Sequence, residues 1–123
     1  MATRVLIVDD AIFMRERIKD IFASDGKFEI CGEAQNGIEA IARYTDLKPD
    51  LTMMDIVMPQ KTGIDATREI VRIFPDAKII MCSALGQEAL VMEAIEAGAS
   101  DFITKPFKNN EEVIKVANRV LGK

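Results

Sequence analysis

Four apolar segments of the sequence end in polar residues that could together bind a cation and accept a phosphoryl group: Asp9-Asp10, Asp55, Ser83 and Lys105. Three carboxylates brought to about 4 Å from one another repel by about 4 kcal/mol per pair at an effective dielectric near 20, so such a cluster needs positive charge. Lys105 would supply one charge. Oxygen ligands without any histidine favour a hard cation, and Mg²⁺ fits better than calcium or zinc because it binds few carboxylates and completes its shell with water and phosphate oxygen.

The same residues suggest a definite reaction. A carboxylate beside Mg²⁺ and a lysine can attack phosphorus, which predicts an aspartyl phosphate on Asp55. Lys105 and the metal would neutralise charge on the oxygens of the transferred group, and the Ser83 hydroxyl would donate a hydrogen bond to one of them.

These side chains can meet only if the segments that carry them lie side by side. Short apolar segments alternate with helical spacing throughout the chain, which predicts an α/β fold with a parallel sheet covered by helices on both faces. Ligands of such a sheet bind at the carboxyl ends of its strands, where the polar residues stand. The predicted strands are 5–9, 28–32, 51–56, 78–83 and 101–104, and the predicted helices are near 11–24, 37–47, 63–74, 87–97 and 110–121.

Length and composition limit the function classes. The 123 residues predict one domain, 1–123, without an output domain. A net charge of -4 without runs of one sign favours neither nucleic acid nor a membrane surface as partner. The chain has no signal-peptide pattern and no apolar stretch near the ~20 residues of a membrane span, so we expect a cytoplasmic protein. Cys31 and Cys82 lie in apolar segments and are interpreted as small core residues.

Each polar residue also has an ordinary structural explanation. Asp10 and Ser83 could cap the helices that follow them. Asp55 could be a loop acid, and Lys105 could mark a turn before Pro106. The coincidence of all of them at predicted strand ends favours the site.

The motifs VLIVDD, MMDIVMP, MCSA and DFITKPF, taken in order and spacing over essentially the whole chain, resemble the receiver domain of response regulators. The resemblance implies the flavodoxin-like, doubly wound strand order 2-1-3-4-5, which periodicity alone does not give. It implies Mg²⁺ ligands at Asp9, Asp10, Asp55 and the main-chain carbonyl of Val57, a phosphoacceptor at Asp55, and often a cis peptide bond before Pro106.

Within this family, MCSALGQ and DDAIFMR are most similar to the single-domain regulators of bacterial chemotaxis. The resemblance places the switch pair at Ser83 and Phe102. Many chemotaxis members have tyrosine at the latter position, so this chain lacks the phenol hydroxyl there. It also places Val57 and Leu85 beside the phosphoryl group, and their apolar side chains predict slow self-dephosphorylation.

The implied partners are a sensor histidine kinase of the chemotaxis type, a flagellar motor switch protein and a phosphatase. A phosphorelay intermediate or a stand-alone receiver with another target would use identical chemistry. The readout is expected on the face of the fourth helix, fifth strand and last helix, because the fourth helix is apolar over more than one stripe. The predicted contact residues are Leu90, Val91, Met92 and Ile95.

Two other function classes remain open. The same carboxylates could serve a Mg²⁺-dependent phosphohydrolase, but the first strand is not followed by an Asp-x-Asp pair. The fold would also permit a nucleotide- or flavin-binding module, but the sequence has neither G-x-G-x-x-G nor a phosphate loop ending in G-K-[ST]. We therefore expect a signalling protein that catalyses only its own phosphorylation and dephosphorylation.

Overall fold

The computed structural model describes residues 2–84 and 87–123, and it contains ten alternating strands and helices in that part of the chain. The predicted order of strands and helices is confirmed. The strands are β1 (Thr3–Val8), β2 (Phe28–Ala34), β3 (Leu51–Asp55), β4 (Ile79–Ser83) and β5 (Asp101–Thr104). The helices are α1 (Ile12–Ala23), α2 (Gly37–Leu47), α3 (Gly63–Ile73), α4 (Glu88–Glu96) and α5 (Asn110–Val120).

The five strands form one parallel sheet in the order β2-β1-β3-β4-β5, so the expected flavodoxin-like fold is confirmed. The strands β1, β3 and β4 are interior, and their side chains are almost all buried because helices cover both faces. On one face Phe22 of α1 and Val113 of α5 pack against Val5 and Ile7. On the other face residues of α2, α3 and α4 pack against Leu6 and Val8.

Three helices begin at a residue whose side chain accepts a hydrogen bond from a backbone N–H three positions on, and so satisfies an otherwise free donor. Asn36 accepts from Glu39 at 2.9 Å, Thr62 from Asp65 at 3.1 Å and Asn109 from Glu112 at 2.8 Å.

The other two helices, α1 and α4, test whether Asp10 and Ser83 serve as helix caps. The N-cap of α1 is Ala11 and that of α4 is Gln87, and within the described chain neither makes a side-chain capping bond. Asp10 and Ser83 are therefore not capping residues in this structure. None of the described helices has the length and apolar character needed to cross a membrane.

Candidate functional site

The carboxylates of Asp9, Asp10 and Asp55 converge at the carboxyl edge of the sheet. Their oxygens lie within 4.8 Å of one another. They meet because β1 and β3 are neighbours in register, with Val8 opposite Met54, so that Asp9-Asp10 and Asp55 leave the sheet side by side. Asp9 is 2% exposed and Asp55 7%, whereas Asp10 is open to solvent. The cluster is thus a mostly buried pocket with one accessible wall.

Lys105 lies against two of these acids. Its Nζ atom is 3.0 Å from Oδ1 of Asp55 and 3.3 Å from Oδ2 of Asp9. Lys105 follows the end of β5, and its backbone N–H donates to the carbonyl of Ser83, which fixes the lysine to the end of β4. The ammonium group therefore contacts the carboxylates at the ends of β1 and β3, although Lys105 itself follows the edge strand β5.

The charges of the cluster are not balanced by Lys105 alone. Burial raises the pKa of Asp55 from 3.8 to about 6, and the charge of Asp9 adds to this rise although Lys105 opposes it. Burial alone would lower the pKa of Lys105, but the charge and hydrogen bond of Asp55, together with the charge of Asp9, raise it above its ordinary value. Three carboxylates with one lysine retain an excess of negative charge, and this donor set fits a divalent hard cation.

Asp9 is held by hydrogen bonds at its backbone and side chain. Its N–H donates to the carbonyl of Ala34 at 3.1 Å, which extends the β1–β2 ladder by one residue. Its Oδ1 accepts the N–H of Ala11 at 2.9 Å, and its carbonyl oxygen accepts a guanidinium N–H of Arg15 at 2.7 Å. This residue cannot move without breaking contacts to β2 and α1.

Sequence reasoning missed Arg15. Its side chain is buried, with 8% of the residue exposed. A signal was present, because positions 15, 18 and 22 share one face of a helix and Ile18 and Phe22 on that face are apolar and buried. An arginine on the buried stripe of an otherwise amphipathic helix needs a partner, and here the partners lie at the candidate site.

The start of α3 packs directly against the backbone of Asp55. The N–H of Gly63 donates to the carbonyl of Ile56 at 2.8 Å. A Cβ atom at position 63 would lie 2.0 Å from the carbonyl oxygen of Asp55, so only glycine permits this approach. The contact fixes the end of β3 and hence the position of the Asp55 carboxylate.

Ser83 and Phe102, the predicted switch pair, lie on the adjacent strands β4 and β5. Ser83 is 2% exposed and Phe102 is 43% exposed. Both line a cavity of about 270 Å³ between β4, β5 and α4. The other residues around this cavity are Ala84, Glu88, Val91, Met92 and Thr104.

The four predicted contact residues on α4 differ in exposure, and their role as a contact surface stays a prediction. Val91 is only 8% exposed and packs in the core, and Leu90 is half-buried against the same cluster, because positions 90, 91 and 94 face the sheet. Neither offers an open apolar surface in this conformation. Met92 at 63% and Ile95 at 40% are the exposed apolar members of the set.

The remaining predicted positions are placed as follows. The Val57 side chain is 52% exposed just beyond β3; the role of its carbonyl stays a prediction. Leu85 lies outside the described residues. The peptide bond between Lys105 and Pro106 is cis, as the resemblance implied.

Comparisons with known proteins agree with this arrangement. The model of the response regulator receiver domain family matches residues 5–117. The chain is 57% identical over 120 residues to the chemotaxis protein CheY of Thermotoga maritima, with 98% of each chain covered. It is 52% identical to CheY of Bacillus subtilis over 122 residues, which covers 99% of this chain and 100% of the relative.

Solved structures show the same fold. The crystal structure of the CheX–CheY–BeF₃–Mg²⁺ complex from Borrelia burgdorferi superposes with a TM-score of 0.91 at 36% identity, covering 98% of this chain and 90% of that chain. A family match over most of the chain, relatives above half identity and the clustered acids at the sheet edge all agree. The chain belongs to the response regulator receiver domain family and is similar to CheY over nearly its whole length.

Proposed function

We propose that this chain is a phosphorylation-activated switch that accepts a phosphoryl group on Asp55 from a histidine kinase and then changes its affinity for a target protein. The observation that carries the proposal is the bridging of Asp55 and Asp9 by Lys105 within a cluster of three carboxylates. An acid that served only the fold would not need two carboxylate neighbours at a strand end. The chain would act as a signalling component and not as an enzyme with other substrates.

The transfer needs a nucleophile and compensation of charge. An oxygen of the Asp55 carboxylate forms the new bond to phosphorus while the bond between phosphorus and the donor's imidazole nitrogen breaks, and its electron pair remains on that nitrogen. Lys105, already 3.0 Å from Asp55, would donate to a phosphoryl oxygen and offset its charge. Asp55 must be ionised to attack, and with a pKa near 6 it is ionised at neutral pH.

The excess negative charge of the cluster supports Mg²⁺ as the cofactor. Asp9, Asp10, Asp55 and the carbonyl of Val57 would hold it. When bound, the ion would supply positive charge to the oxygens of the phosphoryl group. The exposed position of Asp10 would leave part of the coordination shell to water and to the phosphoryl donor.

The switch would act through Ser83 and Phe102. A phosphoryl group on Asp55 attracts the Ser83 hydroxyl, and the cavity between Ser83 and Phe102 offers space into which the ring can turn. The target would then contact the face formed by α4, β5 and α5, with Met92 and Ile95 as its exposed apolar residues. Because the relatives are chemotaxis proteins, we infer a chemotaxis kinase as donor and the flagellar motor switch as target. The Borrelia relative was crystallised in a complex with CheX, which supports a further protein partner for this chain. A phosphatase remains part of the proposal.

The first test is intact mass after incubation with Mg²⁺ and a small acyl phosphate. Wild type should gain one base-labile phosphoryl group and Asp55→Asn none. Asp46→Asn, which changes an exposed aspartate in α2, is the matched control and should behave like wild type. If Asp55→Asn gains the group as well, the acceptor is another residue. Continuous release of phosphate from many donor molecules, without a phosphorylated protein, would favour the phosphohydrolase.

A further inference from the structure

Arg15 connects the acid cluster to two other parts of the fold. One guanidinium N–H donates to the carbonyl of Asp9 at 2.7 Å, and Nε lies 2.9 Å from the carboxylate of Glu33 on β2. The same carboxylate accepts Lys19, also on α1, at 2.7 Å. Arg15 and Lys19 therefore both bind Glu33 on β2. Of these two side chains, Arg15 alone also bonds to Asp9 in the described structure.

The bond to the Asp9 carbonyl restricts the backbone that leads to Asp10. That carbonyl belongs to the peptide unit between Asp9 and Asp10, and a peptide unit is planar, so its rotation carries the N and Cα atoms of Asp10 with it. The side-chain oxygens of Asp9 are already fixed by Ala11 and Lys105. The exposed Asp10 immediately precedes Ala11, the N-cap position of α1. Arg15 binds the carbonyl of the peptide that leads to Asp10.

We infer that Arg15 is a positioning residue of the cation site, which holds the peptide between Asp9 and Asp10 so that the two carboxylates converge. This inference rests on the proposed function, because it assigns a role in the binding of Mg²⁺. Arg15 would not itself be a ligand of the ion, because its guanidinium group has no acceptor atom. It acts on the ligands through the backbone, and loss of such an outer contact typically weakens metal binding about 10- to 100-fold.

The direction of the change in Mg²⁺ affinity on replacement of Arg15 distinguishes a positioning role from a purely electrostatic one. Arg15 is a buried cation near a site for another cation, so removal of its charge alone would strengthen the binding of Mg²⁺. Loss of positioning would weaken it. Lys19→Met removes a second positive charge from the same Glu33 carboxylate and leaves the Asp9 carbonyl untouched, so it provides the matched control.

The experiment is calorimetric titration of metal-free wild type, Arg15→Met, Arg15→Lys and Lys19→Met with MgCl₂, after circular dichroism shows which variants are folded. We expect the Kd of Arg15→Met to rise about tenfold, that of Lys19→Met to stay at or below the wild-type value, and that of Arg15→Lys to lie between wild type and Arg15→Met. In phosphorylation by acyl phosphate, Arg15→Met should need more Mg²⁺ for half-maximal rate but should reach the wild-type rate at saturation.

Three results decide the matter. Mg²⁺ binding by Arg15→Met that equals or exceeds wild type overturns the inference and leaves the proposed function intact. A wild type that binds no Mg²⁺ overturns the metal site itself. If Arg15→Met does not fold, Arg15→Lys against Lys19→Met decides: wild-type affinity in Arg15→Lys overturns the inference, and weaker binding in that variant alone supports it.

Discussion

Replacement of Asp55 by asparagine should stabilise the metal-free protein. The rise of the Asp55 pKa from 3.8 to about 6 means that its ionised form is disfavoured in the folded state. This difference corresponds to roughly 3 kcal/mol at neutral pH, which is an upper limit because the Lys105 side chain and the surrounding water can rearrange. Asparagine keeps the shape and an acceptor for Lys105 but carries no charge. We expect an increase of about 1–3 kcal/mol in the free energy of unfolding, or about 4–12 °C in Tm for a domain of this size.

The effect must depend on pH with a definite sign. Below about pH 3.8 Asp55 is protonated in both the folded and the unfolded state, and asparagine gives no advantage. Between about 3.8 and 6 the folded state holds the proton and the unfolded state does not, so the contribution of Asp55 to stability falls as pH rises. Above about 6 the destabilisation is complete. The advantage of Asp55→Asn should therefore be small at pH 4.5 and largest at pH 7–8.

Urea and thermal unfolding in EDTA over pH 4.5–8 would measure this difference, with Asp46→Asn as the control for loss of an exposed carboxylate. Addition of Mg²⁺ should reduce the stability difference between Asp55→Asn and wild type. The ion would stabilise wild type more, because the site in the variant lacks the Asp55 carboxylate. Equal or lower stability of Asp55→Asn at pH 8 in EDTA would refute the claim that the cluster carries uncompensated charge.

Three further predictions concern the surroundings of the site. Asp10→Ala should remove most of the stabilisation by Mg²⁺, which at a concentration of 100 times Kd is about 2.7 kcal/mol for wild type; an undiminished rise of Tm with MgCl₂ would show that Asp10 is not a ligand. Gly63→Ala should destabilise the protein by about 1–3 kcal/mol in urea unfolding, because the new methyl group would lie 2.0 Å from the Asp55 carbonyl oxygen; wild-type stability would mean that α3 can retreat freely. Thr52→Val should stabilise by about 1 kcal/mol, since the buried Thr52 hydroxyl finds no partner among the described residues; a loss of stability would indicate a water-mediated bond instead.

Much of the fold and of the acid site could be predicted from the sequence because two signals agreed. The interior strands are buried on both faces and so appear as continuous apolar segments, and the polar residues that end them must share one edge of a parallel sheet. The edge strand β2 was predicted to end at residue 32 but continues to Ala34, because its half-exposed face lacks that apolar signature.

Other features could not be predicted, since they depend on distances between elements. Asp9 and Asp10 are chemically identical neighbours, yet one is buried and the other exposed. The role of Arg15 depends on how closely α1 approaches the end of β1. In α4 the apolar residues cover more than one face of the helix, so the sequence could not show that Val91 is buried while Met92 and Ile95 are exposed.

The strand order also divides the sheet into parts of unequal local stability. The acids leave β1 and β3, which are hydrogen-bonded to strands on both sides, whereas Phe102 lies on β5, a strand of four residues paired only with β4. Amide hydrogens of interior strands exchange mainly through global unfolding, and those of a short edge strand exchange through local opening that costs far less free energy. The residues that would carry the chemistry are thus held in the most protected part of the sheet. The residue proposed to report it lies where the backbone can rearrange while the rest of the domain stays folded.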